Sequence, residues 1–292
     1  MLVAYGYRLL IVAVLPLMLW GCGTARYAQA PDQEFGRYAY EAPRDNDGYD
    51  SMVDLDKQYE ARRYRPDMRV FRRVMSEDEL WRLSNRDPDL TPTVAKQILA
   101  RLNKRATYYI GDDIRNGVPL NVPADFSAYK HWTPLPKKIP ALAELPKLIL
   151  VVKDIPFLGW YEGGRLVEDS FTCIGKDAGW TDAGLYRVLE KDADHISRSY
   201  TNAYGEPAPM PLALRIYGTV WIHAGDIERG YCSHGCINLP VTTAKKLFDW
   251  ADTRTAVLVV ESVSDLQEAI RKNSSSCVLF IEQCSGRQKR EM

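Results

Sequence analysis

Apolar residues recur along this chain in two rhythms, and the change from one to the other falls near Pro146. Before it the spacing is helical. Ser76 with Glu79 three positions on is a capping-box pair, opening a segment that carries Leu80, Trp81 and Leu83. Thr91-Pro92 supplies an N-cap and a first-turn proline. Ala95, Ile98, Leu99 and Leu102 then fall at i, i+3, i+4 and i+7, one buried stripe. After Pro146 the apolar runs become short and β-rich, over 148–152 and 157–161, with Gly163-Gly164 as a turn into 166–174. Further strands are expected over 185–189, 213–217 and 219–223. Ala244, Leu247, Phe248 and Ala251 restore helical spacing once, with Thr242 or Thr243 able to cap that helix, and 256–260 reads as a closing strand. The pattern predicts an α+β chain, with a small helical region over 66–147 and a β-rich domain with one late helix over 148–262. Residues 263–292, with Ser274-Ser275-Ser276 and a basic end, form an extension without a pattern. No internal repeat is present.

The first residues stand apart. Arg8 is the only charge before an apolar run of 12 residues, Leu9 to Trp20, which contains Pro16 and stops at Gly21-Cys22. A helix needs about 20 residues to cross a bilayer, so the run has the length of a signal-peptide core instead. The small residue before Cys22, with Leu19 three positions upstream of it, resembles a bacterial lipoprotein signal; Trp20 departs from the small residue usual there. The resemblance implies a signal peptide over 1–21 and lipidation of Cys22 as the first mature residue. Gly23 after that cysteine implies the periplasmic face of the outer membrane. Residues 22–65 are polar, with tyrosines, prolines and mixed charge, and read as a flexible tether. About 40 such residues span roughly 35 Å, enough for an anchored domain to reach a layer lying off the membrane.

Charge narrows the partners. With 38 basic and 38 acidic side chains and a pI near 6.9, the chain lacks the sequence-independent attraction that nucleic-acid binders need. Six cysteines agree with export: setting Cys22 aside leaves Cys173, Cys232, Cys236, Cys277 and Cys284, an odd number, so at least one thiol stays free.

The densest reactive cluster is Trp221-Ile222-His223-Ala224-Gly225 followed by Cys232-Ser233-His234-Gly235-Cys236-Ile237-Asn238. A thiol with a pKa near 8.5 is only a few per cent thiolate at neutral pH. A histidine that takes its proton, then lies beside the thiolate as a cation, turns it into a nucleophile. His223 ends a strand, and a short loop can fold Cys236 back to it. Gly235 suits a tight turn, where main-chain N–H groups are natural donors to an oxyanion.

Ser233-His234-Gly235-Cys236-Ile237-Asn238, preceded by a strand ending in His223, resembles the signature of L,D-transpeptidases with a YkuD-type catalytic domain. The resemblance extends over 148–262, through the opening strand, the Gly163-Gly164 hairpin, Gly175-Lys176, Thr181-Asp182-Ala183-Gly184 and Met210-Pro211 to Arg215. Three features depart from the family: a short interval between His223 and Ser233, Asp182 in place of proline, and Ala224 where a glycine or a hydroxyl residue is common. Asn238 in place of arginine matches one branch. The resemblance implies a β-sandwich catalytic domain, Cys236 as nucleophile and His223 as general base. It assigns Ser233, His234, Gly235 and Asn238 to shaping the site and its oxyanion hole. It also implies no cofactor, peptidoglycan tetrapeptide stems as substrate, and carbapenems as covalent inhibitors. The thioester would pass to an amine for 3→3 cross-linking or attachment of protein to the wall.

Other readings stay open from the sequence. The same site would serve as an endopeptidase or hydrolase with water as acceptor, and a degenerate domain would only bind peptidoglycan. Cys232, His234, Cys236 and His223 are also a potential zinc set, although the one-residue gaps are tighter than the usual spacing of zinc ligands. A Cys232–Cys236 disulfide meets a similar obstacle in extended chain. Papain-like enzymes place the cysteine before a distant histidine; here the histidine comes first and close by. His131 and His195 read as surface or structural residues.

Overall fold

The computed structural model describes residues 66–272 apart from Ala178 and Ala203. The expected signal peptide, Cys22, the tether over 22–65, and Cys277 and Cys284 in the extension lie outside the described residues.

A short strand, β1 (Val70–Arg73), leads into three helices, α1 (Glu77–Arg86), α2 (Pro92–Asn103) and α3 (Thr107–Arg115). The chain then returns antiparallel to β1 as β2 (Leu120–Pro123). Ser76 caps α1 by accepting from the Glu79 N–H at 3.3 Å. Only that half of the capping box forms, because the Glu79 carboxylate turns away to the Arg73 guanidinium. Thr91 caps α2 through the Val94 N–H, with Pro92 in the first turn, and the expected stripe of Ala95, Ile98, Leu99 and Leu102 is buried.

Strands dominate from there on. β3 (Lys147–Val152), β4 (Phe157–Glu162) and β5 (Arg165–Phe171) form an antiparallel meander. The β4–β5 turn puts Gly163 at φ 51° and Gly164 at φ 70°, the left-handed pair that a two-residue hairpin demands. β6 (Ile174–Gly175), β7 (Gly184–Arg187), β8 (Glu190–Thr201), β9 (Pro207–Tyr217), β10 (Val220–Ala224), β11 (Tyr231–Ser233) and β12 (Ile237–Leu239) follow. The chain closes with α4 (Val241–Trp250), β13 (Ala256–Val260) and α5 (Leu266–Lys272).

Two sheets face each other as a sandwich, a five-stranded one in the order β5-β4-β3-β13-β7 and a four-stranded one in the order β12-β10-β9-β8. The central strands β3 and β13 pair in parallel, and both are apolar without alternation because both faces are covered. Ile149, Val151, Val257 and Val259 pack into the sandwich against Leu214, Ile216, Ile222 and Ile237. Leu148, Leu150, Val152 and Leu258 point the other way, into one core with Leu80, Leu99 and Ile110 of the helices. The architecture is therefore three layers, helices on sheet on sheet.

The structure departs from the sequence expectations in several places, and α5 is a second late helix within the stretch read as a patternless extension. The run 166–174 breaks after Phe171, because Cys173 leaves the sheet to exchange main-chain bonds with Asn238 at 2.8 and 3.1 Å. The expected strand 213–217 is the last part of the 11-residue β9, and its 12-residue partner β8 was not anticipated. β8 is mostly exposed and polar, so no buried face printed an alternation on it. Finally, α4 begins directly after Pro240, which places Thr242 and Thr243 inside its first turn, and no side chain caps it.

Candidate active site

β10 and β12 run parallel with His223 paired to Asn238, so the bend before β12 lies beside the outer face of β10. Alternation sends Ile222 and Ala224 into the sandwich and leaves Trp221 and His223 on that outer face. Cys236 joins them there, packed against Met210, Ala213 and Trp221. Thiol and imidazole thus share one face of one sheet, brought there by sequence positions that a single short loop connects.

The bend itself is fixed by buried side-chain bonds. Ser233 Oγ accepts from the Gly235 N–H at 3.0 Å and donates to Cys236 O at 2.6 Å. Thr181, 1% exposed, accepts from the Gly175 N–H at 3.0 Å and donates to Gly235 O at 2.9 Å. Gly235 has φ 122°, and a β-carbon there would fall 2.5 Å from Trp180 O, so no other residue fits without moving the backbone. Cys232 is disulfide-bonded to Cys173 with Cα atoms 5.6 Å apart, which ties β11 to the chain ahead of β6. That bond removes one sulfur from the zinc set considered above. Among the described residues Cys236 is the free cysteine.

The Gly235 N–H, anticipated as an oxyanion donor, is taken by Ser233, while the Cys236 N–H carries no partner among the described residues. His223 is 7% exposed, and its Nδ1 lies 2.8 Å from Ala224 O. A carbonyl only accepts, so Nδ1 carries the proton and Nε2 keeps its lone pair. The main chain thereby orients the ring without help from a side chain at position 224.

Burial lowers the His223 imidazole below the ordinary histidine range; its bond to Ala224 opposes this, and the His195 charge adds to it. Burial also pushes the Cys236 thiol up, opposed by a main-chain hydrogen bond from Trp221. Both shifts favour neutral forms. Burial thus works against the ion pair at both groups, and only part of that is offset by the main-chain bonds each one makes.

His234 is stacked between Trp180 and Tyr200, with ring centroids 5.3 and 4.5 Å away. Asn238 does not reach the thiol's cavity: its Nδ2 donates to Asp226 O at 3.1 Å, and its Oδ1 is buried without a partner among the described residues. It braces the 225–230 loop. The helical region grips the same loop from outside, where the Ala106 N–H donates to Ile227 O at 2.8 Å and Arg105 to Glu228 O at 2.5 Å. Tyr108 and Tyr109 both donate to the Asp226 carboxylate.

Cys236 and His234 open on a cavity of about 310 Å³ whose other wall is the β8–β9 hairpin. Sequence reasoning missed that wall. His195, read there as surface or structural, lines the cavity with its ring stacked 3.9 Å from Trp221 and its Nδ1 3.0 Å from Asp192 Oδ2. Its only signal was negative: the polar stretch 190–212 is too long for a structureless connection inside a compact domain.

Residues 146–259 match the family model described as the L,D-transpeptidase catalytic domain, YkuD. This segment belongs to that family. Solved structures similar to the chain include an L,D-transpeptidase from Stackebrandtia nassauensis, at 23% identity and a TM-score of 0.35, covering 40% of this chain and 56% of that one. An L,D-transpeptidase from Mycobacterium smegmatis matches at 20% identity and a TM-score of 0.35, over 39% and 58%. The catalytic domain of the Enterococcus faecium L,D-transpeptidase matches at 30% identity and a TM-score of 0.34, over 39% of this chain and 96% of the domain. The chain spans little more than half the length of the first solved L,D-transpeptidases it matches. No curated protein matches it. The L,D-transpeptidase domain contains the bend, the strand ending in His223 and the β8–β9 hairpin, and the helical region precedes it.

Proposed function

We propose that this chain is a cysteine L,D-transpeptidase acting on peptidoglycan tetrapeptide stems, with Cys236 as nucleophile and His223 as general base. The observation that carries the reading is a free thiol at a fixed bend on the same face of one sheet as an imidazole whose Nδ1 is held by a carbonyl, which leaves Nε2 without a proton. His223 Nε2 takes the Cys236 proton as the sulfur adds to the carbonyl of the third stem residue. The oxyanion forms against the Cys236 N–H. The tetrahedral adduct collapses, its C–N bond breaks, and the proton on Nε2 goes to the departing amine of D-Ala. An acceptor amine then adds to the thioester and gives its proton to Nε2, and the sulfur leaves and recovers that proton.

An acceptor amine on a second stem gives a 3→3 cross-link, and one on a protein attaches that protein to the wall. Water gives hydrolysis through the same thioester. One solved relative is described in complex with imipenem and another as an avibactam carbamoyl enzyme; here we place a carbapenem adduct on Cys236. The reading puts the enzyme in the periplasm, held to the outer membrane through lipid on Cys22.

Muropeptide analysis after incubating the protein with tetrapeptide-bearing wall fragments tests this. Loss of D-Ala with appearance of 3→3 dimers, tripeptides or protein-linked stems supports it. Unchanged fragments together with no adduct on Cys236 would leave a wall-binding domain instead.

A further inference from the structure

The cavity beside Cys236 holds more basic side chains than the proposed chemistry uses. Arg215 donates to Glu190 at 2.9 Å, His195 is held by Asp192 at 3.0 Å, and His234 is stacked between two rings. Arg198, on β8, lines the same cavity, is exposed, and makes no hydrogen bond or ion pair to any described residue.

The backbone around it is built for presentation. The β8–β9 register is interrupted between Ile196 and Thr201. Within the gap, Ser197, 8% exposed, accepts from the N–H groups of Ser199 and Tyr200 at 3.3 and 3.0 Å. Ladder bonds are given up there and replaced by a local side-chain turn. Irregularities of this kind beside a site re-aim the side chains they carry. Ser197, Arg198, Ser199 and Tyr200 all line the cavity, and the long side chains among them are those of Tyr200, which covers His234, and Arg198. An unpaired guanidinium facing a thiol's cavity is a receptor for a planar anion, most of all a carboxylate.

We propose that Arg198 is a specificity-determining residue that binds the free α-carboxylate of the residue expelled from the donor stem. The inference rests on the transpeptidase reading. In that reaction the leaving residue's carboxylate is on the carbon bonded to the departing nitrogen, so its receptor must lie in the cavity that contains the nucleophile. Any carboxylate nearer the glycan end lies on the acyl side of the scissile bond instead. Arg198 thereby selects stems that end one residue beyond that bond with a free carboxylate, against stems that are longer or terminally amidated.

The test is steady-state kinetics on two synthetic donors, a tetrapeptide stem with a free C-terminal acid and the same stem as its C-terminal carboxamide. The wild-type enzyme should prefer the acid by about 10- to 100-fold in kcat/KM, mostly through KM, the range for one charge-assisted pair. Arg198→Ala should bring the acid down to the level of the amide, and Arg198→Lys should keep part of the preference. The side chain is exposed, so folding is not at issue. A wild-type ratio near one, a ratio unmoved by Arg198→Ala, or an equal fall for both donors would overturn the proposal. If the wild-type enzyme turns over neither donor and forms no adduct on Cys236, the transpeptidase reading fails and this inference falls with it.

Discussion

The bend that carries Cys236 and the hairpin that faces it across the cavity are held by opposite means. Around the bend, two buried hydroxyls, a disulfide and a glycine with no room for a side chain fix each turn of the main chain. The hairpin's outer strand β8 lies at the edge of its sheet, exposed along most of its length and paired on one side only. On the proposed mechanism the bond-making atoms lie on the firmly held wall, and the groups suited to recognition lie on the exposed one. Such a division lets substrate preference drift without disturbing chemistry.

Substitutions on the two walls should therefore differ in kind as well as size. Cys236→Ala should lower turnover by about 10⁴-fold or more, since no second nucleophile replaces the sulfur. His223→Gln should lower kcat/KM by about 10²- to 10⁴-fold. The wild-type pH profile carries the same information. Burial holds the imidazole below its ordinary ~6.5, so the base stays neutral as pH falls through that value. Activity should disappear only further down, where Nε2 becomes protonated, and His223→Gln should abolish that acid limb.

Gly235→Ala should cost about 10²-fold in kcat through displacement of the nucleophile, since the new methyl collides with Trp180 O. On the opposite wall, Tyr200→Leu should move KM by about tenfold and kcat far less, because it removes a ring from the cover over His234 and nothing from the bend. A kcat effect from Tyr200 as large as that from Gly235 would erase the distinction between the walls. The smallest activity change is expected from Cys232→Ala, within a few-fold per folded molecule. Its effect is on stability, where opening a loop of sequence separation 59 removes about 4 kcal/mol by the chain-entropy relation, readable by urea unfolding.

What the sequence disclosed follows the same division. α2 was legible because Thr91-Pro92 and the stripe through Leu102 are local signals of capping and burial. β3 and β13 were legible as short apolar runs. The bend was legible because cysteine, histidine and glycine at close spacing have few structural reasons to coincide. α3 and β8 were not. α3 opens at Ala106 without a side-chain cap, and β8 has no buried face to impose a period. The partner of Cys232 was beyond reach because it is 59 positions away, across a break in a strand that the sequence shows as continuous. The directions in which Cys236 and His223 are shifted were not legible either, since burial is a property of the packed sheet and not of the motif.

One measurement bears most directly on the chemistry: intact-protein and peptide mass spectrometry after mixing the enzyme with a tetrapeptide donor and no acceptor. The expected result is a tripeptidyl thioester on Cys236, with D-Ala released in equal amount, formed by the wild type and by Cys232→Ala but not by Cys236→Ala. It should appear far more slowly in His223→Gln. D-Ala released by Cys236→Ala at the wild-type rate, or an adduct on any other residue, would contradict the assignment of that sulfur.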